Sequence, residues 1–139
     1  MASDKMSELI YRLRLYESQA KVISDQLNLI EFKINELINA REFIDNLKNM
    51  EEGHEVLLPI GGGIYIRARL ADNSKVMMDL GANVIVLDSV DKIRGMVEED
   101  IKKLNDSKNN LENQLNKIIE ESRKIQEILQ KYSQAQRGS

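Results

Sequence analysis

The chain has 139 residues, with no cysteine, no tryptophan, one proline and seven glycines. It is 42% hydrophobic, only 4% aromatic and 31% charged, with a formal net charge of -3. That length allows one ordinary domain or one long hairpin, the composition is that of long helices rather than a thick globular core, and the lack of cysteine excludes a disulfide scaffold and thiolate metal sites.

No apolar run approaches the roughly 18 residues of a membrane span, and the polar start is not that of a signal peptide. A soluble, cytoplasmic chain with no membrane partner is expected. A nucleic-acid partner is not expected either. It would need a dense Lys/Arg patch, whereas lysines here are mixed with glutamates along both ends of a slightly acidic chain.

The first predicted element is a helix over residues 6–52. Steps of four and three from Leu9 give Leu13, Tyr16, Ala20, Ile23, Leu27, Ile30, Ile34, Leu37, Arg41 and Ile44, ten of eleven positions being apolar. A period of 3.5 held this long marks a left-handed coiled-coil seam. Gly53 is a natural stop.

Residues 54–88 have a different period. Val56, Leu58 and Ile60 alternate with Leu57 and Pro59, and Ile64, Ile66, Ala68 and Leu70 alternate with Tyr65, Arg67 and Arg69. Val76, Met78 and Leu80 alternate with Met77 and Asp79, and Val84-Ile85-Val86-Leu87 is a short β-branched run. Period two bounded by turn residues predicts four strands. Gly61-Gly62-Gly63, Ala71 to Lys75 and Gly81-Ala82-Asn83 are short enough to close hairpins, and Pro59 places its strand at an edge or near a turn. The block has one apolar face and nothing in this chain to bury it against. Exposed strand edges are adhesive, so oligomerisation through the strands is expected, with other subunits supplying the missing sheet.

The second helix is predicted over 89–134. Asp88 or Ser89 is a good N-cap, and Asp91 in the first turn suits the helix dipole. The same stepping gives Val97, Ile101, Leu104, Lys108, Leu111, Leu115, Ile118, Ser122, Ile125, Leu129 and Tyr132, nine of eleven apolar. Gly95, inside this helix, is a weak point costing about 1 kcal/mol relative to alanine. Each arm of about 45 residues spans ~68 Å, and equal lengths suggest antiparallel pairing with opposed numbers summing to about 141. Leu9 then meets Tyr132, and Arg41 falls beside Glu98, Glu99 and Asp100. Arg41 reads either as a register-setting ion pair or as a stem that packs while its head reaches water. Lys108 and Ser122 are mild specificity devices or simply tolerated polar positions.

Catalytic patterns are absent. Gly61-Gly62-Gly63 lacks the Gly-Lys-Ser/Thr of a phosphate loop and opens no helix. His54 is the sole histidine, so no metal site is expected. Glu98-Glu99-Asp100 and Glu120-Glu121 are adjacent on a helix and diverge, whereas paired carboxylate catalysis needs convergence. Asn105-Asp106-Ser107 matches a glycosylation acceptor only by coincidence, within a helix. No enzyme activity and no cofactor are expected.

The most specific stretches are Val56-Leu57-Leu58-Pro59-Ile60-Gly61, Ile64-Tyr65-Ile66-Arg67-Ala68 and Val76-Met77-Met78-Asp79-Leu80-Gly81-Ala82-Asn83-Val84. Set between two heptad arms, this block resembles a prefoldin subunit. The similarity is to the family's apolar strand closed by Pro-x-Gly and a later strand closed by Gly. Four strands, hence two hairpins, resemble the alpha class, where beta-class subunits have one. The fold expected is α+β: a long antiparallel two-helix coiled coil with a two-hairpin β block that assembles into a β-barrel platform.

The resemblance implies two alpha-class and four beta-class subunits in a hexamer, with six coiled coils hanging from a double barrel. It implies capture of non-native polypeptides at the coiled-coil tips without nucleotide, and their transfer to a group II chaperonin. The client-binding tips, assigned as the ends of both seams, are Met6, Leu9, Ile10 and Leu13 with Ile125, Ile128, Leu129 and Tyr132. Helix ends fray because their last turns lack partners, and several tips around one cavity add weak contacts by avidity. Each tip residue also has a plainer role, completing the seam. The rival reading is a structural or adaptor coiled coil that assembles through its strands and binds one defined partner. Met1 to Lys5 and Arg137-Gly138-Ser139 read as disordered tails or remnants of expression.

Overall fold

A computed structural model describes residues 2–137 of the chain. The elements run α1 (Ala2–Leu47), β1 (Glu55–Gly61), β2 (Ile64–Arg69), β3 (Lys75–Gly81), β4 (Val84–Ser89) and α2 (Val90–Arg137). The order of helix, two hairpins and helix is the one expected. Helix already begins at Ala2, so residues 2–5 are not a loose tail. Gly138 and Ser139, also read as tail residues, lie with Met1 outside the described residues.

The first helix stops earlier than Gly53 suggested. After Leu47 the N–H groups of Asn49 and Met50 turn back onto the carbonyls of Asn46 and Leu47. The Asn73 side chain then donates to the Met50 carbonyl at 2.7 Å, closing that turn from outside the helix. Gly53 serves the strand block instead: at φ +82 it donates its N–H to the Leu70 carbonyl at 2.7 Å. At the other junction Ser89 is the N-cap of α2, its Oγ accepting from the N–H of Lys92 at 3.2 Å. Helix continues unbroken through Gly95.

Each hairpin is its own two-stranded antiparallel sheet, β1 with β2 and β3 with β4. The two are built alike. In each, a register shift falls just before a glycine, Gly61 at φ +106 and Gly81 at φ +91, a bulge conformation that favours glycine. Each loop then has two residues with positive φ, Gly62-Gly63 and Ala82-Asn83, the primed turn whose twist matches the strands. The Asp79 carboxylate accepts the Gly81 N–H at 2.8 Å and supports the second bulge.

The helices pair through the predicted seam. All 22 positions stepped out from Leu9 and from Val97 are buried or half-buried. Met6 and Val90 continue the same stepping, as do the basic residues Lys48 and Arg94, while Leu47 and Ile93 are buried one position before those two. Four ion pairs fix the register: Arg41–Glu98 at 2.8 Å, Asp45–Arg94 at 2.6 Å, Glu31–Lys108 at 3.5 Å and Lys48–Asp91. In every pair the two numbers add to 139, against the value of about 141 expected. Arg41 therefore reaches Glu98, and the same sum sets Tyr132 level with Ser7 rather than with Leu9. In each pair a basic residue occupies a seam row and its carboxylate partner flanks the seam on the other helix.

Two compact units divide the chain: residues 34–103, called here the hairpin unit, and residues 1–33 with 104–139, the terminal unit. No helix among the described residues is long and apolar enough to cross a membrane.

Candidate functional site

In the hairpin unit, one face of each hairpin carries the predicted apolar set. Val56 pairs with Ala68, Leu58 with Ile66, and Ile60 and Ile64 flank the first loop. On the second hairpin Met78 pairs with Val86, Val76 faces Asp88, and Leu80 and Val84 flank the loop. Val56, Ala68, Leu70, Val76, Met78 and Val86 are half-buried, whereas Leu58, Ile60, Ile64, Ile66, Leu80 and Val84 are exposed.

One apolar face was expected, and there are two. Leu57, Tyr65, Met77, Ile85 and Leu87 all stand exposed on the second. Runs without alternation, Val56-Leu57-Leu58 and Val84-Ile85-Val86-Leu87, signalled this, since strands covered on both sides lose their alternation. The first hairpin retains one polar feature there. Arg67 donates to Glu55 at 2.6 and 3.1 Å, and this hydrogen bond holds the Glu55 carboxyl below its ordinary range and raises Arg67.

Two hairpins with apolar residues on both faces and free edges are sheet material awaiting partners. An isolated two-stranded hairpin is marginal in water, and three or more strands are needed for stability. Surfaces of this kind are suited to assembly.

Beside the hairpins the seam is anchored electrostatically. The Arg94 guanidinium, hydrogen-bonded to Asp45, keeps that carboxyl below the usual carboxylate range and is itself raised. Among the described residues no group of three or more His, Asp or Glu is placed to hold a metal.

In the terminal unit the eight predicted tip residues divide. Leu9 and Ile125 are buried, 8% and 4% exposed, as members of the seam. Met6, Leu13, Leu129 and Tyr132 are half-buried. Ile10 and Ile128 lie outside the seam rows and are 39% and 41% exposed. The seam between the ends of the unit is no tighter: Leu27, Ile30, Leu104, Leu111, Leu115 and Ile118 are all half-buried. A shallow groove of about 340 Å³ opens there, lined by Ser18, Gln19, Val22, Ile23, Gln114 and Ile118.

Comparison with known proteins agrees with this geometry. A family model described as "Prefoldin subunit" matches residues 16–135. The chain is 35% identical to the prefoldin subunit alpha of Methanoregula boonei, covering 100% of this chain and 91% of that protein. It is 28% identical to the prefoldin subunit alpha of Pyrococcus horikoshii, covering 93% and 90%. Among solved structures, it is similar to a chain of filamentous prefoldin from Methanocaldococcus jannaschii, with a TM-score of 0.70, 21% identity and coverage of 87% and 98%. It is also similar to the prefoldin beta subunit of Thermococcus strain KS-1, with a TM-score of 0.61, 18% identity and coverage of 92% and 91%. With two helices around two hairpins and matches along nearly its whole length, the chain belongs to the prefoldin family of chaperone subunits, in its alpha class.

Proposed function

We propose that the chain is the alpha-class part of a cytoplasmic hexamer with four beta-class subunits, which captures non-native polypeptides at its coiled-coil tips without nucleotide. The captured chains pass to a group II chaperonin. The observation that carries this reading is the pairing of half-buried seam residues with exposed Ile10 and Ile128 at the helix ends. A half-closed apolar seam lets a client side chain replace a neighbour at small cost. Where helix ends fray, that exchange is easiest. Single contacts of this kind are weak, and several tips acting together multiply them.

The test is light scattering as a chemically unfolded protein is diluted into buffer containing this chain assembled with a beta-class subunit, without nucleotide. Scattering is expected to fall as the assembly approaches a stoichiometric amount. Unchanged scattering with the complex formed would contradict holding, and one saturable native partner would favour an adaptor role. Transfer is tested separately, by adding a group II chaperonin with ATP and following recovery of the held protein's activity.

A further inference from the structure

The back of α1 bears a second apolar row that the coiled coil does not use. It begins two residues on from Leu9 and Leu13, and thus about 200° round the helix. Steps of four and three from Tyr11 give Leu15, Ser18, Val22, Asp25, Leu29 and Phe32, so five of seven positions are apolar. All five are exposed, Leu29 at 71% and Phe32 at 65%. The corresponding row of α2, from Glu99 through Lys103 and Asp106 to Gln134, contains no apolar side chain. Scattered exposed hydrophobes need no explanation, but a row about 32 Å long in heptad register does.

Its edges are basic. Arg14 and Lys21 run along one side and Arg12 along the other, all exposed. No ion pair involves these three among the described residues, whereas Glu31, on the seam side, is engaged with Lys108. We propose that this row docks an amphipathic helix of a partner protein, with apolar residues at heptad spacing and acidic residues beside them, packed along α1 as a third helix. Such a partner buries the five apolar side chains and sets carboxylates against the three cations. A second copy of this chain fits poorly. Paired in parallel, Arg14 and Lys21 would face Gln19 and Gln26; antiparallel, Arg12 would face Lys33, Arg14 would face Asn28 and Lys21 its own copy, so no carboxylate meets the cations in either arrangement. A bilayer surface fits poorly too, because it would bury Asp25 in the middle of the row.

The inference is independent of the tip reading, since it concerns a different face. The test is fluorescence anisotropy with the full chain and a labelled four-heptad peptide, leucine on its seam and glutamate on both flanks. Saturable binding is expected that weakens with added salt and falls about tenfold or more in Leu15→Gln/Val22→Gln/Leu29→Gln, with helicity by circular dichroism unchanged. Exchanging the cations, as Arg12→Glu/Arg14→Glu/Lys21→Glu, should reverse the preference toward a lysine-flanked peptide. Equal binding of acidic and basic peptides overturns the proposal, as does binding untouched by the glutamine substitutions. Displacement of the peptide by anionic phosphatidylglycerol vesicles would instead make the row a membrane-facing surface and overturn it.

Discussion

In the hairpin unit the seam is closed: Ile34, Leu37, Ile44, Leu47, Val90, Ile93, Val97 and Ile101 are all buried, and three cross-helix ion pairs lie along it. In the terminal unit Leu9, Ile23 and Ile125 reach that level, while Leu27, Ile30, Leu111, Leu115 and Ile118 are half-buried. The heptad pattern is the same in both. The terminal seam, however, contains Ala20, Lys108 and Ser122, which fill less apolar volume than the residues around them. Both units expose apolar surface, but on different structures. The hairpin unit presents strands with unpaired edges, suited to fixed partners. The terminal unit presents helix rows and a loosely closed seam, suited to adaptable contacts with many sequences.

The largest effect should come from charging the strands. Leu58 and Ile66 are a cross-strand pair, so Leu58→Glu with Ile66→Glu sets like charges opposite each other on a face that assembly would bury. Loss of the higher assembly is expected by light-scattering chromatography, with helicity retained. Normal assembly would show that the hairpins are not the joint. Removing residues 1–13 and 125–139 should have the opposite profile: assembly intact, but aggregation of a diluted unfolded protein no longer suppressed. Normal holding by the truncated chain would refute the tip assignment.

Stability should separate the units next. Ile101→Ala in the hairpin unit is expected to cost about 2–4 kcal/mol by denaturant unfolding, and Leu115→Ala in the terminal unit about half as much. Equal losses would mean that the terminal seam is as tightly packed as the other. Replacing Arg41 by alanine should cost only about 0.5–1 kcal/mol, because its pair with Glu98 is partly exposed and screened by salt.

The smallest effect is that of pH. Asp45 and Glu55 titrate below the ordinary carboxylate range because Arg94 and Arg67 hydrogen-bond their charged forms. Their contribution is complete above the unfolded carboxylate range near pH ~4 and is lost as pH falls through the lowered folded values. Melting temperature should therefore drop modestly on acidification below pH ~4, and less so in Arg94→Ala. An equal drop in that variant would sever the link to Asp45.

Much of this was legible in the sequence because two periods carry it. The 3.5-residue seam was complete down to Arg41, for which one of the two open readings, the ion pair, forms with Glu98, and the period-two strands appeared where the glycines placed them. Four features were not legible, each for a physical reason. The end of α1 at Leu47 is set by the Asn46–Met50 turn and by Asn73 across the loop, a tertiary contact that Gly53 could not reveal. The second apolar face of the hairpins lies in continuous runs, Val56-Leu57-Leu58 and Val84-Ile85-Val86-Leu87, which also satisfy a period of two. The back row of α1, interrupted by Ser18 and Asp25, is a weaker periodic signal than the seam whose steps it lies between. The two-residue offset in register is within the slack of matching helix lengths alone, and only the ion pairs resolve it.

The central claim is that the hairpin unit assembles and the ends of the terminal unit capture. Hydrogen–deuterium exchange on the assembled complex, with and without a bound unfolded protein, tests it most directly. The account predicts fast amide exchange at residues 6–13 and 125–132 that slows when client is bound, with residues 34–47 and 90–103 protected throughout. Protection gained in the hairpin unit, or unchanged exchange at both helix ends despite bound client, would contradict it.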